Sequence, residues 1–413
     1  MMERLKIYAE IIEPSAKEQI FNMAKSDAYK DNVIRIMPDC HAGAGCTVGT
    51  TMIITDKITP NLVGVDIGCT VSAWKIKTPK NIDIKTWFDT IKVKLDSVIH
   101  DNIPSGFNIR KTIDKIGIDK ADMIILNNLE FIADVNYERM LYSTGTLGGG
   151  NHFISVEYDS EKNEAWLMIH CGSRNLGVQV CKYWQNRAIN NRRSRKGEVD
   201  ELIKRLKSEG REKEIQSELK RIERPAISNE LAYLDKELDG DDFYSYLSDM
   251  QKCQLFAEIN HRTIANVIAK NMGWKYSDKI ITMHNYIENP DRNGFNWILR
   301  KGAVAAYEGQ KLLIPMNMRD GSLICVGKGN EDWNWSAPHG AGRIMSRSAA
   351  KARLNMNEFK ESMKDVYTTS VNTSTIDEAP MAYKPMEAIV NVIGETVDII
   401  SHIVPLYNFK ASE

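Results

Sequence analysis

Short apolar runs in this sequence begin or end on a histidine, cysteine or aspartate beside glycine, and this limits the folds open to the chain. His152 follows three glycines in GGGNHF, His170 ends the run AWLMIH, and His284 ends the run IITMH. A strand that terminates in histidine, with turn residues after it, presents that side chain at the rim of a sheet, where sites usually assemble. The sequence therefore predicts sheets with a functional site at their rim.

Two further residues complete a set that could hold metal. Asp66 and Cys69 are three positions apart across a glycine in VDIGC. One carboxylate, one thiolate and three imidazoles can hold one or two divalent ions, with the thiolate or carboxylate bridging. Each residue alone could instead be structural: a buried histidine satisfied by hydrogen bonds, or Cys69 acting as a small hydrophobic residue. The joint occurrence of four glycine-flanked sites favours the metal interpretation, although no CxxC or HExxH motif is present.

His339 stands before glycines 340 and 342 and Arg343 in PHGAGR. Glycines allow backbone N–H groups to approach an anion closely, and a helix beginning near Ala341 would add favourable partial charge. Arginine supplies a forked cation for phosphate oxygens. A neutral imidazole there can attack phosphorus and form a phosphoramidate. The alternative is a helix-capping turn in which His339 only makes a hydrogen bond.

The segment IPMNMRDGS, from Ile314 to Ser322, follows a predicted strand. It offers amide, guanidinium, carboxylate and hydroxyl groups that suit a base or a ribose. An ordinary loop would have a similar composition, so both interpretations stay open.

The order of predicted elements indicates an α+β fold. Residues 1–75 are predicted to be β-rich, and residues 81–140 mixed and more helical. A long amphipathic helix covers YSYLSDM to NVIAKNM; strands follow, and the chain is predicted to end helically after Pro385. Because β segments lie at both ends with helices between them, one intertwined domain over residues 1–413 is expected.

Residues 182–224 differ from the rest because they are almost wholly polar. The spacing of their glutamate, lysine and arginine residues supports exposed helices with i,i+4 ion pairs. We therefore expect a charged helical insertion within the domain, forming a solvated hairpin. An arm that faces a partner or RNA is the alternative.

Bulk composition narrows the class of protein. Net charge is −1, so any contact with nucleic acid must come from a local basic patch. No apolar run approaches the roughly 20 residues that span a bilayer, and the first residues lack the apolar core of a signal peptide. Seven irregularly spaced cysteines do not suggest a disulfide framework. A protein of the reducing cytoplasm is expected, where thiols can bind metal.

Taken together, these motifs resemble those of the RtcB-type RNA ligases, which join RNA ends using GTP and manganese. The resemblance extends from about residue 37 to residue 384. It rests on eight motifs in family order: MPDCHAGAG, VGVDIGC, GTLGGGNHF, HCGSR, MHN, IPMNM with GS, HGAGR and EAPMAYK. It implies a single RtcB-like domain, with mixed or antiparallel sheets around a two-metal site and inserted helices.

The resemblance assigns a role to each matched position. Two manganese ions would be held, with Cys69 bridging, by Asp66, Cys69, His152, His170 and His284. His339 would be the nucleophile that takes GMP from GTP. The GTP pocket would be lined by Asn151, His152, Phe153, Ile154, Ser155, His284, Asn285, Pro315, Met316, Asn317, Met318, Ser322, His339, Gly340, Ala341, Gly342 and Tyr383. Arg174 and Arg343 would contact RNA or triphosphate oxygens, and Asp39 and His41 would support the site from behind.

The implied reaction joins an RNA 3′-phosphate or 2′,3′-cyclic phosphate to a 5′-hydroxyl through a GMP-histidine intermediate, in tRNA splicing or RNA repair. GTP would be a co-substrate and two Mn²⁺ ions the cofactors; some family members also use the small protein archease. Thiolate and imidazole ligands would hold zinc or cobalt more tightly than manganese, so metal identity rests on the resemblance.

Two departures from the family pattern concern the guanine pocket. The family usually has an acidic residue that contacts guanine three positions after the histidine of GNHF, where this chain has Ser155. Strict guanine selectivity is therefore in question. Many members end in Lys-Gly; here Lys410, followed by ASE, is the matching lysine.

Two other functions fit parts of the pattern. A two-metal phosphoesterase could open or remove terminal phosphates with the same ligands, without needing GTP or His339. A non-catalytic protein that binds RNA ends could retain the fold, and the two departures leave room for it.

Overall fold

The computed structural model describes residues 4–26, 28–112, 120–129, 135–190, 192–223, 237–290 and 296–411. Within these ranges the helices are α1 (Pro14–Lys25), α2 (Ile84–Asn102), α3 (Lys120–Leu126), α4 (Tyr137–Tyr142), α5 (Asn175–Asn190), α6 (Arg192–Ser208), α7 (Ile215–Glu223), α8 (Gly240–Met272), α9 (Arg347–Arg353), α10 (Met356–Ser362) and α11 (Glu387–Ile393).

The strands occur in runs between groups of helices and pair mainly in antiparallel sheets, which makes the fold α+β as predicted. They are β1 (Leu5–Ile7), β2 (Ile34–His41), β3 (Val48–Ile54), β4 (Lys57–Ile58), β5 (Cys69–Ile76), β6 (Phe153–Asp159), β7 (Glu164–Cys171), β8 (Leu238–Asp239), β9 (Tyr276–His284), β10 (Tyr286–Glu288), β11 (Trp297–Lys301), β12 (Ala303–Ala305), β13 (Lys311–Asn317), β14 (Gly321–Gly327), β15 (Ser336–Pro338) and β16 (Val397–Lys410).

The largest sheet is antiparallel and has the strand order β13-β14-β16-β6-β7-β5-β9. Its two edges approach each other, because the backbone N–H of Leu313 in β13 donates to Thr282 Oγ1 in β9 at 2.9 Å. The sheet is thus nearly closed into a barrel. Strands from both halves of the sequence belong to this sheet, since β9, β13, β14 and β16 are joined in it to β5, β6 and β7. This arrangement fits a single α+β domain, and its extent over residues 1–413 stays a prediction.

Apolar side chains fill both faces of this sheet. A cluster that includes Val71, Met168 and Ile403 lies on the inner face. On the outer face, helices α2 and α8 pack through residues such as Leu95 and Ile264. Side chains alternate between the two faces of a strand, so the central strands β5, β6, β7 and β16 contribute to both clusters. The rim of the nearly closed sheet is left for polar residues.

A second sheet has the order β1-β2-β3-β11-β10, and it is antiparallel except for the β1–β2 pair. The β12–β15 pair, in which Ala303 is opposite Pro338, lies beside it. These elements bring the end of β2 next to the residues that follow β15. Asp39 and His339, which are 300 positions apart in sequence, are therefore neighbours.

The helices begin and end where local chemistry favours it. Helix α2 is capped by Asp83, whose side chain accepts a hydrogen bond from the backbone N–H of Thr86 at 3.0 Å. The predicted long helix is observed as α8, and it ends at Gly273 in a left-handed conformation (φ 72°). No helix in the described ranges combines the length and apolar character needed to cross a bilayer.

The expectation of a helical end after Pro385 is wrong. Only α11 is helical there, and the chain continues into the 14-residue strand β16. The sequence VDIISHIVPLYNFK is rich in β-branched and aromatic residues, which favour strands. Its pairing with β14 on one side and β6 on the other fixes it as a central strand.

The polar segment from residue 182 contains the end of α5, all of α6, and α7. Surface ion pairs join Arg211 to Glu209 and Glu214 at 2.9 and 2.6 Å. The definition of residues 182–224 as a separate insertion stays a prediction, and residues 191 and 224 lie outside the described residues.

Candidate active site

Five side chains predicted as metal ligands lie together at the rim of the seven-stranded sheet. Cys69 Sγ is 3.3 Å from His170 Nε2 and 3.5 Å from His152 Nε2. His152 Nε2 is also 3.2 Å from Asp66 Oδ2. Two groups of ligand atoms share Cys69: Cys69 with His170 and His284, and Cys69 with Asp66 and His152, all atoms of each group lying within 4.8 Å of one another.

Strand register explains this convergence. Cys69 at the start of β5 is directly opposite His284 at the end of β9. On the other side of β5, β7 brings His170 opposite Val71, and β6 places Phe153 opposite His170. The ends of four antiparallel strands therefore meet at one rim, as the sequence pattern predicted.

Two glycines are needed here for space. A Cβ at Gly148 would collide with the imidazole of His152 and the guanidinium of Arg174, and a Cβ at Gly172 would collide with the carboxylate of Asp66. Any side chain at these positions would displace the residues of the cluster. The glycines of the GGGNH and HCGSR motifs thus allow close packing around the site.

The donor set fits divalent metal ions. Within the described part of the chain, the buried Nδ1 atoms of His152 and His284 have no hydrogen-bond partner. Burial, together with the Asp66 carboxylate, raises the pKa of the Cys69 thiol. A bound cation would act in the opposite direction, because a coordinating thiol is deprotonated. One carboxylate, one sulfur and three imidazoles suit transition-metal ions.

His339 lies beside this cluster, with its ring centroid 4.8 Å from that of His284. Its Nδ1 atom is 2.6 Å from Oδ2 of the buried Asp39. A carboxylate can only accept hydrogen bonds, so Nδ1 carries the proton and donates it. The lone pair of the neutral ring is therefore on Nε2, the atom that would act as a nucleophile.

The same Asp39 oxygen also accepts hydrogen bonds from the backbone N–H groups of His339 and Gly340, at 3.1 and 3.2 Å. Gly342 has a φ of 73°, and a Cβ there would collide with the backbone of Asp39. The backbone N–H groups of His339 and Gly340 thus bind a carboxylate of the protein itself, and the binding of a phosphate by this turn stays a prediction. The helix expected near Ala341 is absent, since the next helix in this described region begins at Arg347 after the cap Ser346.

His41, which follows Asp39 by two residues, is also placed here. Its Nδ1 atom is 3.1 Å from the backbone oxygen of Asp39. Burial lowers the pKa of His41 to about 4. The side chain is therefore neutral at physiological pH and adds no positive charge next to His339.

A cavity of about 540 Å³ connects the cluster and His339 to a more distant region. This volume lies within the range of small-molecule sites. Many predicted nucleotide-site residues line it: Asn151, Phe153, His284, Asn285, Pro315, Met316, Asn317, Met318, His339, Gly340, Ala341, Gly342, Tyr383 and Lys410. Asp66, Cys69, His170, His41 and Arg343 line it as well.

Other predicted residues are near the cavity without lining it. These are His152, Ile154, Ser155, Ser322, Arg174 and Asp39. The side chain of Ile154 packs into the apolar cluster on the outer face of the sheet, because it alternates with Phe153 and Ser155 along β6. Arg174 donates to Thr146 Oγ1 and to the backbone oxygen of Gly106, next to His152.

One wall of the cavity is positively charged and is held by Glu378, a residue in EAPMAYK that the sequence interpretation passed over. Its carboxylate contacts Lys410 Nζ at 2.7 Å, Arg347 Nη1 at 2.7 Å and Arg343 Nη1 at 3.2 Å. Tyr383 donates to it at 2.5 Å. The predicted phosphate contact Arg343 is thus already engaged within the protein, also donating to the backbone oxygen of Asp377.

These cations determine the ionisation of Glu378. Burial alone would raise its pKa, but the charges of Lys410, Arg347 and Arg343 lower the pKa to about 2. Burial lowers the pKa of Lys410 while Glu378 opposes that change. The wall consequently carries three cations and the fully ionised carboxylate of Glu378, with the carboxylate of Asp377 behind it at 2.7 Å from Arg347.

A second carboxyl, Glu157, lines the far end of the cavity and was not identified from the sequence. It is 2 % exposed and accepts a hydrogen bond from Ser155 Oγ at 2.7 Å. Burial raises the pKa of Glu157 to about 7, against smaller opposing effects of Ser155 and Ser322. The available signal was strand alternation, which places residues 155 and 157 on one face of β6.

The protein is therefore of the α+β class, with a buried histidine, cysteine and aspartate cluster that could bind metal and that opens onto a cavity of about 540 Å³. The family is more specific. A family model described as tRNA-splicing ligase RtcB matches residues 19–411, so this chain belongs to the RtcB family.

Curated relatives agree over nearly the whole chain. The RNA-splicing ligase RtcB of Escherichia coli K12 is 28 % identical, covering 94 % of this chain and 92 % of that protein. The tRNA-splicing ligase RtcB of Archaeoglobus fulgidus is 26 % identical, covering 93 % and 88 %. The RNA-splicing ligase RtcB2 of a second E. coli strain is 24 % identical, covering 91 % and 87 %.

Proposed function

We propose that this protein is an RNA ligase that joins 3′-phosphate or 2′,3′-cyclic phosphate ends of RNA to 5′-hydroxyl ends, in tRNA splicing or RNA repair. GTP is the co-substrate, and His339 carries GMP between GTP and the RNA. The observation that supports this most is the pairing of His339 with Asp39, which fixes the proton on Nδ1 and leaves Nε2 free beside a metal-capable cluster.

In the first step, His339 Nε2 attacks the α-phosphorus of GTP. A nitrogen–phosphorus bond forms, the bond to the β-phosphate oxygen breaks, and pyrophosphate leaves with the bonding electrons. The ring becomes positively charged because Nδ1 keeps its proton. Asp39 stabilises that charge through its 2.6 Å contact with Nδ1.

In the second step, an oxygen of the RNA 3′-phosphate attacks the phosphorus of the GMP group, and the bond to His339 breaks. The RNA end now carries GMP through a pyrophosphate linkage. A 5′-hydroxyl then attacks the RNA 3′-phosphorus, loses its proton and displaces GMP to give a 3′,5′-phosphodiester. A 2′,3′-cyclic phosphate is first opened by water to a 3′-phosphate.

The metal site belongs to the same proposal. Two divalent ions, manganese by family resemblance, would be held by Asp66, Cys69, His152, His170 and His284 and would neutralise phosphate charge when bound. Arg343 and Arg347 line the cavity and supply cations near it, and Arg174 lies behind His152. Residues 192–196 form a basic cluster in the sequence that we also propose as an RNA contact, and their side chains lie outside the described residues.

We also propose a cellular location, a charged insertion and an assisting protein. The protein acts in the cytoplasm, residues 182–224 form a charged insertion in the domain, and an archease-type protein assists some reactions. None of the three is needed for the chemistry at His339.

The decisive experiment is to incubate the protein with manganese and α-labelled GTP and to look for acid-labile, alkali-stable label on the protein. His339→Ala should abolish the label. His402→Ala is the matched control, because this exposed histidine binds the backbone oxygen of Asp320 and does not line the cavity. Label that persists in His339→Ala would refute the proposal.

The same assay separates the two rival functions. A phosphoesterase would open or remove terminal RNA phosphates without forming label and without requiring GTP. A non-catalytic protein would bind RNA ends and leave both RNA and GTP unchanged.

Asp39→Asn should reduce labelling roughly 10²- to 10⁴-fold, since an amide disturbs the proton on Nδ1.

A further inference from the structure

The far end of the cavity contains buried polar atoms that the chemistry at His339 does not use. Oε2 of Glu157 and Oδ1 of Asn408 are buried and lack a hydrogen-bond partner among the residues that the structure describes. Both side chains line the cavity, and they are 2 % and 3 % exposed. Leaving a buried acceptor unsatisfied costs about 1–3 kcal/mol, so such atoms indicate a missing donor.

Strand pairing sets these acceptors side by side. In β6, residues 153, 155 and 157 share a face, and in the neighbouring β16 Asn408 is opposite Ser155 while Lys410 is opposite Phe153. Ser155 donates its hydroxyl proton to Oε1 of Glu157. Oε2 of Glu157 has no partner within hydrogen-bond distance in the described structure, and neither has Asn408 Oδ1. The hydroxyl of Ser322 is close enough to lower the pKa of Glu157 but does not satisfy this oxygen.

We propose that Glu157, with Asn408 beside it, binds the Watson–Crick edge of the guanine base of the bound nucleotide. This inference rests on the proposed function, because it requires a nucleotide in the cavity. Guanine presents two adjacent donors, N1–H and the 2-amino group. Adenine, cytosine and uracil each pair a donor with a neighbouring acceptor on that edge, which an acceptor-only carboxylate cannot satisfy.

Ser155 has a different role in this arrangement from the one that the sequence suggested. The absence of an acidic side chain at position 155 suggested relaxed selectivity for guanine. In the structure, a carboxyl group is supplied from the next position on the same face of β6, and Ser155 holds one of its oxygens. The serine thus positions Glu157 instead of marking the loss of a guanine contact.

Burial supports this assignment. Burial raises the pKa of Glu157 to about 7, and the hydroxyl groups of Ser155 and Ser322 oppose this change only in part. Two N–H donors from a base would stabilise its ionised form. No cation contacts this carboxyl among the described residues, whereas Lys410 is committed to Glu378.

The test is equilibrium binding of GMP, IMP and AMP to the manganese-loaded full-length protein, measured by calorimetry. IMP differs from GMP only by lacking the 2-amino group, and these monophosphates cannot transfer a nucleotide to His339. We expect the wild-type protein to bind GMP at least about tenfold more tightly than IMP, and AMP more weakly still. In Glu157→Gln the preference for GMP over IMP should fall to about twofold or less.

Control variants isolate the effect. Asp159→Asn makes the same change on the same strand, but Asp159 contacts Ser401 and Lys162 and does not line the cavity. It should keep the wild-type preference. Adding Ser155→Glu to Glu157→Gln should restore part of the preference, because the carboxylate returns to the same face. Glu157→Asp, which keeps the charge but shortens the side chain, covers the case in which Glu157→Gln does not fold.

The outcomes are distinct. A GMP preference that survives in both Glu157→Gln and Glu157→Asp, or that is absent from the wild type, overturns the inference while leaving labelling of His339 untouched. A preference that depends on Glu157 in a protein that never labels His339 supports the base site and refutes the proposed ligase chemistry.

Discussion

Glu157 and Glu378 are both buried carboxyl groups at one cavity, yet their surroundings differ completely. Glu378 contacts three cations and one tyrosine hydroxyl within 3.2 Å. Glu157 accepts a hydrogen bond from Ser155, is affected more weakly by the nearby Ser322 hydroxyl, and keeps one oxygen without a partner among the described residues. Their pKa values, about 2 and about 7, lie on opposite sides of the ordinary value of 4.5.

Glu378 is therefore a structural anion, whereas Glu157 has an oxygen that a ligand can contact. The contacts of Glu378 that the structure shows are all within the protein, to Lys410, Arg343 and Arg347 and to the hydroxyl of Tyr383. Glu157 keeps acceptor capacity that only a ligand can use. A cavity wall can therefore contain two carboxyls of the same type, of which one stabilises the protein and the other lowers stability until a ligand binds.

Removing the charge of Glu378 should have the largest effect. Glu378→Gln leaves buried Lys410 and Arg343 without a carboxylate, and breaking a buried pair in this way costs roughly 3–5 kcal/mol. Urea denaturation at neutral pH measures the loss. Glu361→Gln, which removes the partner of the exposed Lys364, is the control and should leave the midpoint unchanged. Equal stability of the two variants would mean that Glu378 is not the anchor of the wall.

In the nucleotide-free protein, the ionised form of Glu157 should lower the free energy of unfolding, whereas the ionised form of Glu378 raises it. Its folded-state pKa of about 7 is above the ordinary 4.5, so the unfolded chain releases the proton first as pH rises. Its stabilising contribution is full below about pH 4.5 and is lost between pH 4.5 and 7, amounting to at most about 3 kcal/mol.

The measurement is the difference in unfolding free energy between Glu157→Gln and the wild type across that pH range. The difference should move in favour of the variant by up to about 3 kcal/mol as pH rises from 5 to 8. A difference that does not change with pH would show that Glu157 is already satisfied inside the protein.

The pH dependence of the contribution of Glu378 to the free energy of unfolding has the opposite sign to that of Glu157. The change that can be measured is also smaller. Its folded-state pKa of about 2 is below 4.5, so its contribution is full above about pH 4.5 and is lost as pH falls towards 2. Between pH 6 and pH 4 the stability advantage of the wild type over Glu378→Gln should shrink by about 1 kcal/mol. An advantage that grows on acidification would contradict the assigned ion pairs.

The smallest effect is expected for Ser155→Ala. This change removes the one hydroxyl donor to Glu157 Oε1 that the described structure shows and leaves the carboxyl in place. GMP affinity should fall about two- to threefold, because a single neutral donor is lost while the base still binds Oε2. Thr86→Ala on the distant helix α2 is a suitable control for loss of a hydroxyl. A fall larger than that of Glu157→Gln would assign the base contact to Ser155 itself.

The sequence predicted the rim of the large sheet better than the rest of the cavity. Cys69 follows Gly68 at the start of β5, and Asp66 and His170 are each two positions from a glycine. Local patterns of this kind are visible before folding. The α+β class and helix α8 were also predictable, because hydrophobic periodicity is a local property.

The part of the cavity around Glu157 and Glu378 could not be predicted in the same way, because it is formed by contacts between residues that are distant in the sequence. Glu157 matters because burial removes its solvent donors, and Glu378 because three cations from distant segments converge on it. The strand β16 was mistaken for helix, so the neighbours of Asn408 and Lys410 could not be inferred. The anion at the HGAG turn is Asp39, 300 positions away, which only the tertiary structure reveals.

The position of β16 has a consequence for the order of folding. Although residues 397–410 are translated after every other strand described here, β16 is inserted between β14 and β6 in the middle of the sheet. Until it emerges from the ribosome, both neighbours have open edges that can pair with other chains. We therefore expect the nascent protein to need protection from aggregation until β16 has been synthesised and has left the ribosome.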